Sequence, residues 1–180
     1  ADVFLSAAPL YAERLHDKGL CTTPVVFALN TLTVVTPASN PAGITRVQQL
    51  DRPGGYRIAV GGKNVPLGIY TRTLFGKLGQ PRTIQKNTVS QYQKASDVVT
   101  AVALGSADAG VVYTTDWYAN TSKLLPLAVP DSAQPLIRYM ACVVTRPGAD
   151  TAGARAVISR LLSINGRLAL FKAHFGLPPK

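Results

Sequence analysis

The chain has 180 residues, 47% of them hydrophobic and 16% charged, proportions of a folded globular protein long enough for one domain or two small lobes. No apolar run approaches the ~20 residues of a membrane-spanning helix, and no basic-then-apolar leader opens the chain. The formal net charge is +10, yet no two Lys or Arg are adjacent, which argues against a polybasic arm for nucleic acid or lipid.

In chain order, Ala1 to Ala7 reads as a strand already under way, so a further amino-terminal segment is expected before it. Pro9 to Lys18 reads as a helix with Gly19 as its stop. Val25 to Thr36 is a long β-rich run broken at Asn30, and residues 37–41 (PASNP) are turn chemistry. A short helix over Ile44–Leu50, a strand over Tyr56–Val60 and a helix over Leu67–Leu78 ending at Gly79 follow. Ser96–Leu104 reads as a helix, residues 109–112 as a strand, Arg138–Thr145 as a strand, and Asp150–Phe175 as helix interrupted at Asn165-Gly166. Helices alternating with strands predict an α/β protein with largely parallel sheets.

Three places carry candidate chemistry. The loop GGKNVPLGIY (residues 61–70) joins a strand to a helix. Asn64 is the expected N-cap and Pro66 sits in the first turn. The amides near Leu67 and Gly68 lie at the positive end of the helix dipole, where an oxyanion is favoured. The helix start KASDV (94–98) repeats this arrangement, with Ser96 as expected cap and amides at Ala95 and Ser96. The strand AGVV then runs into Tyr113-Thr114-Thr115-Asp116, where the phenol supplies a further donor. Nine cations and one acid, Asp51, lie between Arg46 and Lys94, a field that attracts small anions or simply solvates a surface.

Catalytic and metal patterns are absent: no GxSxG, HExxH or CxxC occurs, and His16 and His174 stand alone. Neither an enzyme nor a metal centre is expected. Cys21 and Cys142 are either two separate buried thiols or, in an exported protein, a disulfide.

The segments ADVFLSA (1–7), NPAGI (40–44), IAVGGKNVPLGIY (58–70), GSADAGVVYTTD (105–116) and RLLSINGRLALFKAHFGLPP (160–179) resemble, in this order, the periplasmic molybdate-binding proteins of ABC transporters. The resemblance implies a periplasmic-binding-protein-like fold of two α/β lobes joined by crossover strands. The first lobe would be incomplete and made from residues 1–28 and 141–180, the second from residues 29–140. It implies an extracytoplasmic receptor, periplasmic or extracellular and in some forms lipid-anchored, that delivers a small oxyanion, molybdate or tungstate, to a membrane permease. No other cofactor is implied. Leu67, Ala95 and Tyr113 fall at ligand positions, with Gly68, Ser96 and Ser6 as lesser candidates. Leu67 stands where the family commonly has Ala. The family's two early serine donors have no counterpart here; Ser6 is not one of them. Anion binding by the chain as it stands is therefore expected to be weak, and an open sheet edge would favour self-association. The alternatives are the same fold serving as the sensor domain of a transcriptional regulator, or as a receptor for a different small anion; binding of nucleic acid by the basic face is disfavoured by the dispersed charge.

Overall fold

The computed structural model describes residues 1–52 and 54–179, apart from the side chains of residues 88 and 89. The chain divides into two compact units, Ala1–Asn30 with Leu136–Lys180, and Thr31–Pro135.

The first segment of unit 1 holds β1 (Val3–Ser6), α1 (Pro9–Asp17) and β2 (Val25–Asn30). Proline is tolerated at the first position of α1 because that N–H has no helical acceptor anyway. The helix ends as its sequence demands. Gly19 adopts φ 69°, its amide donates to the His16 carbonyl at 2.8 Å, and the Leu20 amide to the Leu15 carbonyl at 2.8 Å, the two bonds of a Schellman stop. After unit 2 the chain returns as β8 (Ile137–Val143), α6 (Thr151–Leu162) and α7 (Ile164–Lys172). Asp150 caps α6 by accepting from Gly153 N–H at 2.8 Å. Ser163 separates the two helices and caps α7 by accepting from Gly166 N–H at 3.2 Å, so the interruption falls two residues earlier than expected.

Unit 1 has a three-stranded sheet in the order β1-β8-β2, antiparallel throughout. Here the expectation of parallel sheets is corrected, for a topological reason. β1 and β2 run the same way, linked by α1 as a βαβ unit requires, but the returning β8 inserts between them in the opposite direction. The core is Phe27, Ala28 and Ala141, with Tyr139, Ile158, Leu161, Leu170 and Phe175 packed on it. Tyr139 meets Phe27 edge-on at 6.1 Å and Phe175 at 5.4 Å, favoured geometries for aromatic pairs. Cys21 and Cys142 form a disulfide with Cα atoms 5.9 Å apart, so the reading as two separate thiols does not hold.

Unit 2 opens with β3 (Leu32–Pro37) and a 3-10 turn at Val47–Asp51, where a helix was expected from residue 44. Then come β4 (Ile58–Gly61), α2 (Pro66–Lys77), α3 (Thr83–Asn87), β5 (Thr88–Tyr92), α4 (Ala95–Ala103), β6 (Ala109–Tyr113), α5 (Thr114–Tyr118) and β7 (Leu124–Leu127). The five-stranded sheet has the order β5-β4-β6-β3-β7. β5, β4 and β6 are parallel, while β3 runs antiparallel to β6 and β7. Val34, Val35, Ile58, Val60, Leu74, Phe75, Val98, Val102 and Val111 are fully buried around it. Each contributes roughly 1.5–3 kcal/mol of transfer free energy.

Candidate functional site

β4 ends on two glycines for steric reasons. A Cβ on Gly61 would sit 2.5 Å from the Gly68 amide nitrogen, so the first turn of α2 rests directly on the strand end. Gly62 N–H donates to the Tyr92 carbonyl at 2.7 Å, which ties the end of β4 to the end of β5. The N-cap of α2 is Val65, not Asn64, and no side chain caps the helix. Pro66 is the cause: it forces the residue before it into an extended conformation, and Val65 has φ −101° and ψ 155°. The first bond of the helix runs from Ile69 N–H to the Val65 carbonyl at 3.1 Å. The Leu67 and Gly68 amides lie ahead of it, and both residues are buried.

The second helix start also differs in its cap. Lys94 is the N-cap of α4, with φ −124° and ψ 143° and no side-chain bond. Ser96 is therefore the second helical residue, its exposed hydroxyl 3.4 Å from Asp97 Oδ1. Asp97 N–H to the Lys94 carbonyl, at 3.2 Å, is the first closed turn, and the Ala95 and Ser96 amides precede it. Asp97, exposed in this first turn, already complements the dipole.

Tyr113, 7% exposed, ends β6 and serves as N-cap of α5. The polar cluster after it has structural work. Thr114 Oγ1 lies 2.8 Å from both Thr31 Oγ1 and Thr33 Oγ1, pinning the turn to β3. Asp116, three residues beyond the cap, accepts the Tyr113 backbone N–H, one half of a capping box. The spacing Tyr-x-x-Asp carried that signal in the sequence. Asp108 of the ADAG segment belongs to the opposite, amino-terminal edge. It accepts from Arg57 Nη2 at 2.6 Å and from the Arg57 backbone N–H at 2.8 Å, and the Arg57 side-chain bonds hold its carboxyl below the ordinary range.

Burial pushes the Asp116 carboxyl up, opposed by the Tyr113 amide, and Oδ2 has no hydrogen-bond partner among the described residues. A raised folded value means that the charged form costs stability as pH rises from the ordinary carboxylate range through the raised value. Asp116→Asn, which can still accept from the Tyr113 amide, is expected to raise the thermal midpoint at pH 7. The gain should vanish near pH 3, where the native side chain is protonated in both states. Equal gains at both pH values would refute the burial argument.

Because β5, β4 and β6 are adjacent and parallel, Tyr92, Gly61 and Tyr113 end at one edge. Adjacent strands are ~4.8 Å apart, so the three ends span about 10 Å. Leu67, Gly68, Ala95, Ser96 and Tyr113 thus share the carboxyl edge of the parallel strands in unit 2, where open α/β sheets bind ligands. The donors are neutral. Cations lie nearby: exposed Lys63 and Lys94 in the two loops, and Arg72, which donates to the Gly68 carbonyl at 2.8 Å. Ser6 lies in unit 1, where its hydroxyl donates to the Ala8 carbonyl at 2.7 Å, so that proton is committed locally. No group of three or more His, Cys, Asp or Glu able to hold a metal occurs among the described residues. No helix among them is long and apolar enough to cross a membrane.

A two-lobed α/β chain with amide donors gathered at a sheet edge defines a ligand-binding protein of the periplasmic-binding class. Residues 1–176 match the family model for bacterial extracellular solute-binding proteins, and the chain belongs to that family. It is 32% identical over 179 residues to the molybdate-binding protein ModA of Mycobacterium tuberculosis, covering 99% of this chain and 66% of that protein. The chain thus spans slightly less than two thirds of this curated relative's length. Among solved structures, the periplasmic molybdate-binding protein of Azotobacter vinelandii superposes with TM-score 0.82 at 21% identity, over 99% of this chain and 79% of that one. The sulfate-binding protein SubI of Mycobacterium tuberculosis gives 0.81 at 16% identity, over 97% and 68%. Both likenesses support the periplasmic-binding-protein-like fold.

Proposed function

We propose that this protein captures a tetrahedral oxyanion, molybdate or tungstate, outside the cytoplasm and delivers it to the membrane permease of an ABC importer. It is a receptor and performs no catalysis. The anion itself is the only molybdenum species involved, with no separate cofactor. The observation that carries the reading is the meeting of two helix starts, at Leu67–Gly68 and Ala95–Ser96, with the Tyr113 end of β6 at one sheet edge. Fixed amide and hydroxyl dipoles replace the hydration shell of a dianion by charge-assisted hydrogen bonds without introducing a buried countercharge. The 32%-identical relative is named for molybdate binding, which favours this anion among those of similar shape. The Cys21–Cys142 disulfide suits an oxidising compartment.

Thermal melts of the full-length gene product test the proposal. At a hundredfold excess over Kd a ligand adds ~2.7 kcal/mol; at 2–4 °C per kcal/mol for a chain of this size, that is roughly 5–10 °C. Molybdate and tungstate should produce this shift and sulfate much less. Tyr113→Phe should weaken binding by about 1.5–3 kcal/mol, the contribution of one hydrogen bond to a charged group. Failure of every oxyanion to move the midpoint would remove the ligand from the reading.

A further inference from the structure

One polar side chain stands between the two helix starts without belonging to either. Gln93 occupies the two-residue link between β5 and α4. Its neighbour Tyr92 accepts the Gly62 amide at 2.7 Å, so the loops after β4 and β5 are joined beneath it. Its carboxamide is folded back over Gly62: a Cβ placed on Gly62 would lie 3.1 Å from Gln93 Nε2 and 3.8 Å from Cδ. The absence of a side chain at residue 62 therefore makes room for the carboxamide. Gln93 is exposed as a residue. A long side chain at an exposed loop position ordinarily gains rotamer entropy by extending into water; this one lies along the glycine at the carboxyl edge of the parallel strands.

Resting on the oxyanion reading above, we infer that Gln93 is a further side-chain donor of the same site, its carboxamide N–H directed at the anion between the α2 and α4 amides. The chemistry matches the rest of the set. A carboxamide is neutral and carries two N–H donors, so it adds a hydrogen bond without the desolvation that a lysine or arginine would bring. A fully deprotonated tetrahedral dianion presents only acceptors and satisfies such a donor. A carboxylate in its place would supply no donor and would repel the guest.

Titration calorimetry of the full-length protein with sodium molybdate, with thermal melts without ligand, tests this. Gln93→Ala should weaken molybdate at least tenfold, or 1.4 kcal/mol, and leave the ligand-free midpoint unchanged. Gln93→Glu should weaken it further, and that additional loss should shrink in high salt. Gly62→Ala, which displaces the carboxamide, should reproduce the Gln93→Ala loss. An affinity within twofold of wild type for Gln93→Ala overturns the inference while the oxyanion reading stands. A loss matched by an equal fall in the ligand-free midpoint also overturns it, since the role would then be structural. If wild-type protein binds no oxyanion, both fail together.

Discussion

Reduction of the Cys21–Cys142 disulfide is expected to lower the thermal midpoint by roughly 5–15 °C, at 2–4 °C per kcal/mol for a chain of this size. The bond joins residues 121 apart, and the intervening chain contains all of unit 2, Thr31–Pro135. In the unfolded state a closed loop of this length removes chain entropy equivalent to about 5 kcal/mol, with 2–5 kcal/mol typical of native bridges. The two half-cystines are 4% and 0% exposed, and Cys142 lies in the central strand of the β1-β8-β2 sheet, opposite Phe4. A thiol pair there would still pack as small hydrophobes, so the loss should be mainly through the unfolded state. Paired melts of oxidised and reduced protein, with Cys142→Ala as the non-reducible control, measure it. Identical midpoints would show that the bridge contributes nothing to stability.

Membership of the extracellular solute-binding family makes that bridge intelligible. Two connections, β2 into β3 and the return into β8, carry the chain between units, and the covalent tie lies wholly in unit 1.

The sequence was most legible where periodicity was long and the caps were chemical. The sequence places α1 within one residue at each end, because Pro9 and Gly19 mark a start and a stop that physics enforces. The starts of α2 and α4 fall within one residue of expectation, yet neither expected cap is the cap. Asn64 and Ser96 are good capping types, but Pro66 moves the boundary to Val65, and Lys94 takes the cap of α4 with no side-chain bond at all. Residue preference could not reveal a helix start that is instead seated against glycine. No sequence signal marks α3, β5, α5 or β7. Each has five residues or fewer, too short for a periodic signal. β7 contains Pro126, tolerated because this strand lies at the sheet edge. The antiparallel strands are not legible in the sequence because a chain that passes between two units must return, and nothing local encodes that direction. For the site, the donor positions were legible only as helix starts and a strand end. That Thr114 and Asp116 serve the fold required the tertiary contacts.

Gly68→Ala and Gly76→Ala, two identical substitutions in one helix, are expected to act with opposite sign. Gly76 lies near the end of α2, and a Cβ there meets nothing within 4 Å. Alanine should therefore stabilise by about 0.5–1 kcal/mol, because it restricts the unfolded backbone and prefers the helix. Gly68 lies in the first turn, where a Cβ would collide with the Gly62 carbonyl oxygen and lie 2.5 Å from that of Gly61. Those obstacles are backbone atoms at the end of β4, so no rotamer change relieves them, and α2 must lift from the strand. Overpacking of this kind costs typically 1–3 kcal/mol and occasionally more; with two carbonyls obstructing, about 3 kcal/mol is expected. Lifting the helix also displaces the Leu67 and Gly68 amides, so on the oxyanion reading proposed above Gly68→Ala should lose molybdate affinity in addition to stability, whereas Gly76→Ala should retain it. Urea midpoints of the two variants beside wild type decide the matter. A Gly68→Ala protein as stable as the parent would mean that the helix start is not seated on the β4 glycines, and the site built on that seat would have to be abandoned.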